Sequence, residues 1–233
     1  MNIADIENER LQIDNELDGF SDFVLVRSYH NIRIVHRDSN KWQGIIDDMD
    51  NVILPLVYDK IEIVDNGIRL FLKDENDQYL IGLANIEDLQ VVLPARFKAL
   101  YPLEDLKMIW CLDVKDNWLL YDEGGNLNER LPQNCIPLDN PSFVCVLRKN
   151  NADDYSVECR NQKMEVSSRL LRSLALQSES PGRIALSSHY YHILVYTDLY
   201  GRILYSNINL DALFAYSGRY PFTNSGDIRS VRW

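Results

Sequence analysis

The sequence predicts an all-β protein built from repeats of about 38 residues with four short strands each, arranged as a closed five-bladed, propeller-like ring or as an open β-repeat stack. Three observations lead there. The chain restates itself at a fixed interval: "KWQGIIDDMDNVILP" at 41–55 returns as "YLIGLANIEDLQVVLP" at 79–94. Short apolar runs rich in Val, Ile and aromatics alternate with turns rich in Asp, Asn and Gly. The turn Asp65-Asn66-Gly67, between β-branched runs, is a strong hairpin signal because both turn residues tolerate positive φ.

The register of the repeat can be followed residue by residue. Gly44 matches Gly82 and Asp47 matches Asn85, each 38 apart. Leu54-Pro55 matches Leu93-Pro94 at a distance of 39, and Tyr58 matches Phe97. The next step reaches "WLLYDEGGNLNERLP", with Asp122 in its turn and Leu131-Pro132 at its close. Further steps land on "SVECRNQKMEVSS" around Arg160 and on "LVYTDLYGRILYS" at Asp198. Units are therefore expected near 41–78, 79–116, 117–154, 155–192 and 193–233, with 19–40 completing the last one. Together, 19–233 form a single β-repeat domain behind an acidic N-terminal segment, 1–18.

Within a unit, each element has a local reason. "QGIIDDMDNVILP" reads as apolar run, polar turn, apolar run: a hairpin. The prolines Pro55, Pro94 and Pro132 are expected to end the second strand, since proline has no N–H for the ladder. "YDKIEIVDNGIRLFLKD" supplies a second hairpin, and "DENDQ" at 74–78 links one unit to the next. "VSSRLLRSLAL" at 166–176 reads as a short helix interrupting the series. A four-stranded unit cannot bury both faces alone, so repetition stacks one apolar face on the next.

The run Trp42-Gln43-Gly44, Ile45-Ile46-Asp47, Pro55 and Tyr58-Asp59 resembles the WG-repeat proteins of bacteria. There the pattern is Trp-Gly, an apolar pair, Asp, a turn, then apolar residues, Pro and Tyr-Asp. This chain inserts Gln43, and it lacks the Trp in the second unit, where Leu80-Ile81-Gly82 stands. The likeness is clear over 41–98, weak to about 132 and carried by period alone beyond. It implies β-structured repeats, no catalytic set and no particular ligand.

The 233 residues suffice for a sizeable core, and 46% hydrophobic with 25% charged residues is ordinary for a globular chain. No apolar run approaches the roughly 18 residues of a membrane span. The start "MNIADIENERLQIDNELDGF" has no apolar signal core, so a cytoplasmic protein is the expectation. Cys111, Cys135, Cys145 and Cys159 form no C-x-x-C pair, so a zinc ribbon is not indicated and buried free thiols are expected. Net charge is −11: residues 1–23 carry −6, 24–160 carry −8 and 161–233 carry +3. An acidic body repels nucleic acid and draws a basic protein.

Candidate chemistry is sparse. "DNELDGFSD" from Asp14 to Asp22 begins like a calcium loop but has Ser21 at its apolar position and Leu25 where a bidentate Glu belongs. "DDMDN" at 47–51 reads as a turn. In "HYYHILVYTD", strand composition would put His189 and His192 on opposite faces. His30 and His36, an even number apart, suit one strand face. Neither a nucleophile elbow nor a phosphate-binding glycine motif occurs. The close "SGRYPFTNSGDIRSVRW" offers Arg219, Tyr220, Phe222, Arg229, Arg232 and Trp233 as core or interface.

With the repeat accepted, the acids gather. First-hairpin turns carry Asp48 and Asp50, Glu87 and Asp88, and Glu123. Second-hairpin turns carry Asp65, Glu104 and Asp105, and Asp139. The expectation is an acidic rim on a non-enzymatic protein-binding module without a cofactor, taking a basic protein rather than nucleic acid or membrane. An inhibitor or immunity-type protein that neutralises a basic toxin or nuclease is its sharper form. The alternative is a propeller-type enzyme or carbohydrate-binding protein with a site in a central funnel.

Overall fold

One hairpin loop, built by an aspartate, recurs along the chain. Asp47 Oδ1 accepts the backbone N–H groups of Met49 at 2.8 Å and Asn51 at 2.9 Å. The Asp47 N–H donates to the Asn51 carbonyl, and the Asp50 N–H returns to the Asp47 carbonyl. Asp50 takes the left-handed backbone this closure requires (φ 67°). The arrangement returns at Asp74, Asp113, Asp122 and Asp198, with Asp77, Asp116, Gly125 and Gly201 as the left-handed residues. Asn85 builds a loop one residue longer, closed on Gln90 and with Leu89 left-handed. Short polar side chains that bond the backbone two residues on favour such turns. Asp47, Asn85, Asp122 and Asp198 belong to the 38-residue series; Asp74 and Asp113, 39 apart, interleave with it.

The computed structural model describes residues 3–16, 23–64, 67–140, 143–151, 154–160, 166–167, 169–170, 172, 174, 183–188 and 190–216. They divide into two compact units, lying within Met1–Ala99 and Leu100–Ile228.

The first unit opens with helix α1 (Ile3–Glu16), followed by β1 (Phe23–Tyr29), β2 (Ile32–Arg37), β3 (Gln43–Ile46) and β4 (Val52–Tyr58). These four strands pair antiparallel in sequence order. After the one-residue link Asp59 come β5 (Lys60–Val64), β6 (Gly67–Lys73), β7 (Tyr79–Ala84) and β8 (Val91–Leu103), a second antiparallel meander. The core joins both: Ile34, Ile45, Leu54 and Val57 pack with Ile68, Leu70, Leu72 and Ala84. On the other face of the first sheet, Val35, Ile46 and Leu56 pack together with Phe23.

The β3–β4 and β7–β8 hairpins are the same object. In each, a step of two residues along the first strand matches a step of four along the second: Gln43 to Ile45 against Tyr58 to Leu54, and Ile81 to Leu83 against Phe97 to Leu93. Gly44 and Gly82 sit in those steps. A Cβ on Gly82 would stand 2.6 Å from the Ala95 nitrogen and from the Leu93 oxygen; on Gly44 it would stand 2.7 Å from the Leu54 oxygen. Only glycine permits backbones that close. Pro55 and Pro94 occupy the bulged stretch, where a ladder N–H is not needed. They lie inside β4 and β8 rather than ending them, contrary to the expectation from sequence. Pro132 alone falls beyond its strand.

Strand grouping also differs from the expected units. Residues 23–37 pair directly with 43–58 instead of completing a unit at the far end of the chain. The β2–β3 turn is a tight one, with the Lys41 N–H on the Arg37 carbonyl and Lys41 left-handed (φ 62°). Pairing neighbours through so short a loop costs little closure entropy. The acidic N-terminus, read as a segment apart, is helical over 3–16, and Leu11 packs against the core.

The second unit contains a 3-10 turn (Glu104–Leu106) and β9 (Met108–Asp113), β10 (Trp118–Asp122) and β11 (Leu127–Arg130), paired in order. Two three-stranded antiparallel sheets follow: β12 (Cys135–Leu138), β13 (Val144–Asn151) and β14 (Asp154–Arg160), then β15 (Ile184–Ser188), β16 (Ile193–Thr197) and β17 (Ile203–Ser206). Helix α2 (Leu210–Tyr216) closes the described chain, anchored by Lys149 Nζ and the Tyr155 hydroxyl on Asp211. Of the helix expected at 166–176, residues 169, 170, 172 and 174 are helical and most of the rest lies outside the described residues. All four cysteines are free and buried. Cys145 faces Cys159 across β13 and β14, and the bond between them, with burial, pushes the Cys145 thiol up.

Candidate functional site

Hairpin turns of an antiparallel meander fall alternately on its two ends. In the first unit, the β3–β4 turn carries Asp48 and Asp50 and the β7–β8 turn carries Glu87 and Asp88, all four exposed. Asp50 pairs with Arg33 Nη2 at 2.7 Å, and Asp88 accepts the Gln90 N–H at 3.0 Å. Between Asp48 and Asp50, Met49 is 82% exposed; Val52 and Ile53 after that turn and Val91 after the β7–β8 turn are also exposed. Asp65 lies outside the described residues.

In the second unit, Glu104 and Asp105 are exposed in the 3-10 turn, and Lys107 Nζ reaches Glu123 in the β10–β11 turn at 3.4 Å. These two turns are therefore neighbours, with a cation among three carboxylates. Asp139 is placed otherwise: it is half-buried, and its N–H donates to the Ser187 carbonyl at 2.7 Å in a bridge to β15. It is a bridging residue rather than a turn tip.

The "DDMDN" stretch is a turn, as its composition indicates. Asp47 itself is spent on that turn: the Asn51 side chain and backbone N–H groups hold its carboxyl below the ordinary range, and Arg33 adds to the effect. Asp122 is held low in the same way by Asn126. The calcium-like stretch begins as the last turn of α1, with 17–22 outside the described residues. His30 is in the β1–β2 turn (φ 50°) and His36 in β2, so they share no strand. His189 lies outside the described residues. His192 is in a turn before β16, not in a strand, because its left-handed backbone (φ 52°) outweighs the β propensity of its neighbours. The aromatic and basic C-terminal stretch from Arg219 to Trp233 also lies outside the described residues. Among the described residues, no three His, Cys, Asp or Glu side chains group as a metal site. Nor, among these, is any helix long and apolar enough to cross a membrane.

Three clusters were not foreseen from sequence. Arg10 of α1 donates to the Val57 carbonyl at 2.8 Å and to both oxygens of Asp59, at 2.9 and 3.3 Å, while lying 4.7 Å from the Trp42 ring centroid. Asp59 also accepts the Lys73 N–H at 2.7 Å, so one fork fixes helix, strand end and link. Arg160 is buried between Glu129 and Glu158, with Arg148 on Glu158 at 2.7 Å. Here Arg160 Nε, Glu129 Oε2 and Glu158 Oε2 are buried without a hydrogen-bond partner, although Glu158 Oε2 lies 3.6 Å from Arg160 Nη2.

The third cluster is aromatic. Tyr101, Trp118 and Tyr190 meet mutually with ring centroids 5.5 to 6.1 Å apart, and Tyr191 packs beneath them. Trp118 Nε1–H donates to the Tyr191 hydroxyl at 2.9 Å. Trp118 and Tyr191 are buried, whereas Tyr101 and Tyr190 keep part of their surface in solvent. Burial raises the phenols of Tyr101, Tyr190 and Tyr191, that of Tyr190 to about 12. The charge of Asp139 adds to the rise at Tyr101, and that of Asp116 at Tyr190 and Tyr191. The only sequence signal for this cluster was the Tyr190-Tyr191 doublet.

No protein-family model matches the chain, and no curated protein matches it. Among solved structures it is similar to the WD40 domain of Toxoplasma gondii coronin, with TM-score 0.32 and 8% identity over 80% of this chain and 56% of that one. It is similar also to the N-terminal domain of Nup159, with TM-score 0.32 and 12% identity over 76% of this chain and 50% of that one. A third is the WD40 domain of SCAP from fission yeast, with TM-score 0.26 and 12% identity over 79% and 55%. The chain spans about half the length of these structures.

Proposed function

We propose that this chain is a non-enzymatic protein-binding module of the WG-repeat kind, whose acidic turns receive a basic protein partner. One observation carries the reading: Asp48 and Asp50 stand exposed on the β3–β4 turn on either side of the protruding Met49, and Glu87 and Asp88 stand exposed on the equivalent β7–β8 turn of the same unit. Carboxylates in solvent steer a basic surface and raise its on-rate, while an apolar tip gives the encounter a contact that salt does not screen. In its sharper form, the protein is a cytoplasmic inhibitor or immunity-type protein that covers a basic toxin or nuclease.

The test is capture from native lysate at low and high salt, comparing wild type with a variant carrying Asp48→Asn, Asp50→Asn, Glu87→Gln and Asp88→Asn. A basic protein held by wild type, released by salt and missed by the variant is the expected result. Equal capture by both proteins, or none by either, rejects the acidic turns as the binding surface.

A further inference from the structure

We propose that Tyr101 and Tyr190, floored by Trp118 and Tyr191 and flanked by Asp116 and Asp139, form a seat for an arginine side chain of the partner. The inference deepens the reading above and rests on it for the partner's basic character.

The seat is assembled from separate parts of the second unit. Trp118 begins β10, Asp116 is the left-handed residue of the turn just before it, and Tyr101 belongs to β8. Asp139 is tied by its N–H to Ser187, three residues before Tyr190. The Tyr101 and Tyr190 rings stand 82° apart, and Trp118 is edge-on to Tyr190 at 89°. Half-exposed rings packed edge-to-face over a buried floor leave aromatic surface at the solvent, and a planar guanidinium stacks on such faces better than an ammonium does. Both tyrosines are neutral at neutral pH, so the rings serve as quadrupoles. The two aspartates supply formal charge: each opposes ionisation of the phenol beside it, the sign of a potential that welcomes a cation.

The experiment titrates the 233-residue chain with N-acetyl-arginine amide at constant ionic strength, following the Trp118 indole N–H by NMR. That proton is donated to Tyr191 and reports the floor of the seat. A saturable shift is expected, weakened roughly tenfold in Asp116→Asn/Asp139→Asn and lost in Tyr190→Leu. Asparagine tolerates the left-handed backbone of position 116, and the Asp139 N–H remains. An unchanged amide spectrum elsewhere confirms that the variants fold. N-acetyl-lysine amide should bind more weakly. No saturable shift, an equal shift in the aspartate variant, or equal affinity for lysine each overturns the seat. Lysate capture separates the two readings: a seat variant that still captures a salt-sensitive basic protein leaves the acidic turns standing alone.

Discussion

The β7–β8 hairpin of the first unit and the β10–β11 hairpin of the second begin from the same repeat position and reach different geometries. In β7–β8, Gly82 lets the backbone of β8 approach, Pro94 sits in the resulting bulge, and a step of two residues on β7 matches a step of four on β8. In β10–β11, fully buried Leu120 stands where the glycine would be, and the ladder shows a single shift between Leu120 and Tyr121. The loop nonetheless survives, in Asp122 as in Asn85. A turn needs one side chain in the right place. A close approach needs a glycine, a bulge and a proline together, so losing one removes the reason for the others.

The strongest way to break this comparison is Gly82→Ala. The added methyl meets backbone atoms of β8, which cannot yield as a flexible side chain does. We expect a loss of about 3 kcal/mol, at the upper end for overpacking. Gly44→Ala, against Leu54 and Leu56, should behave alike. Urea unfolding reads both, and a cost below roughly 0.5 kcal/mol, the range of neutral surface changes, would contradict the close approach.

Half-buried Arg10 and buried Arg160 sharpen the contrast between units. Arg10 is paired with both Asp59 oxygens and a carbonyl, whereas Arg160 sits in a network where three atoms lack a hydrogen bond. Arg10→Ala should cost about 2 kcal/mol, less than a wholly buried pair because both side chains keep some solvent exposure. Arg10→Lys should recover little, since an ammonium lacks the fork. Replacing Arg160 and Glu129 together by Met and Leu should stay within about 1 kcal/mol of wild type, because an incompletely satisfied ionic pair is readily exchanged for apolar packing. A large loss for the double replacement, measured by the same unfolding, would show the network to be better satisfied than its geometry indicates.

What was legible in the sequence was local. Asp47, Asn85, Asp122 and Asp198 announce their turns because each loop is closed by the residue that names it. Gly44 and Gly82 announce a repeat, but why glycine was required depends on the partner strand. The prolines misled for a related reason: a missing N–H ends a regular ladder but costs nothing inside a bulge. Helix α1 was hidden by its acidity, and Arg10 and Leu11 anchor it through contacts with residues some fifty positions away. Of the expected acidic rim, Asp48 and Glu87 stand in turns as read. Asp139 does not, because its bridge to Ser187 is a long-range pairing. The aromatic cluster brings together positions 101, 118 and 190, a proximity no local pattern encodes.

The smallest expected effect tests whether the aspartate loop is one device in both units. Asp47 and Asp122 are both held below the ordinary carboxylate range by hydrogen bonds to the charged form. Each therefore contributes stability that is fully present above the unfolded carboxylate value near pH ~4 and is lost as pH falls through the lower folded value. Asp47→Ala and Asp122→Ala should lower the urea midpoint by similar small amounts at neutral pH, and the loss should shrink on acidification. Asp→Asn at either position keeps an acceptor for the backbone, as Asn85 does naturally, so it should cost less and flatten the acid limb of the stability profile. If one alanine variant were neutral and the other costly, the two loops would share a shape without sharing its cause. The repeat would then be a likeness of backbone alone.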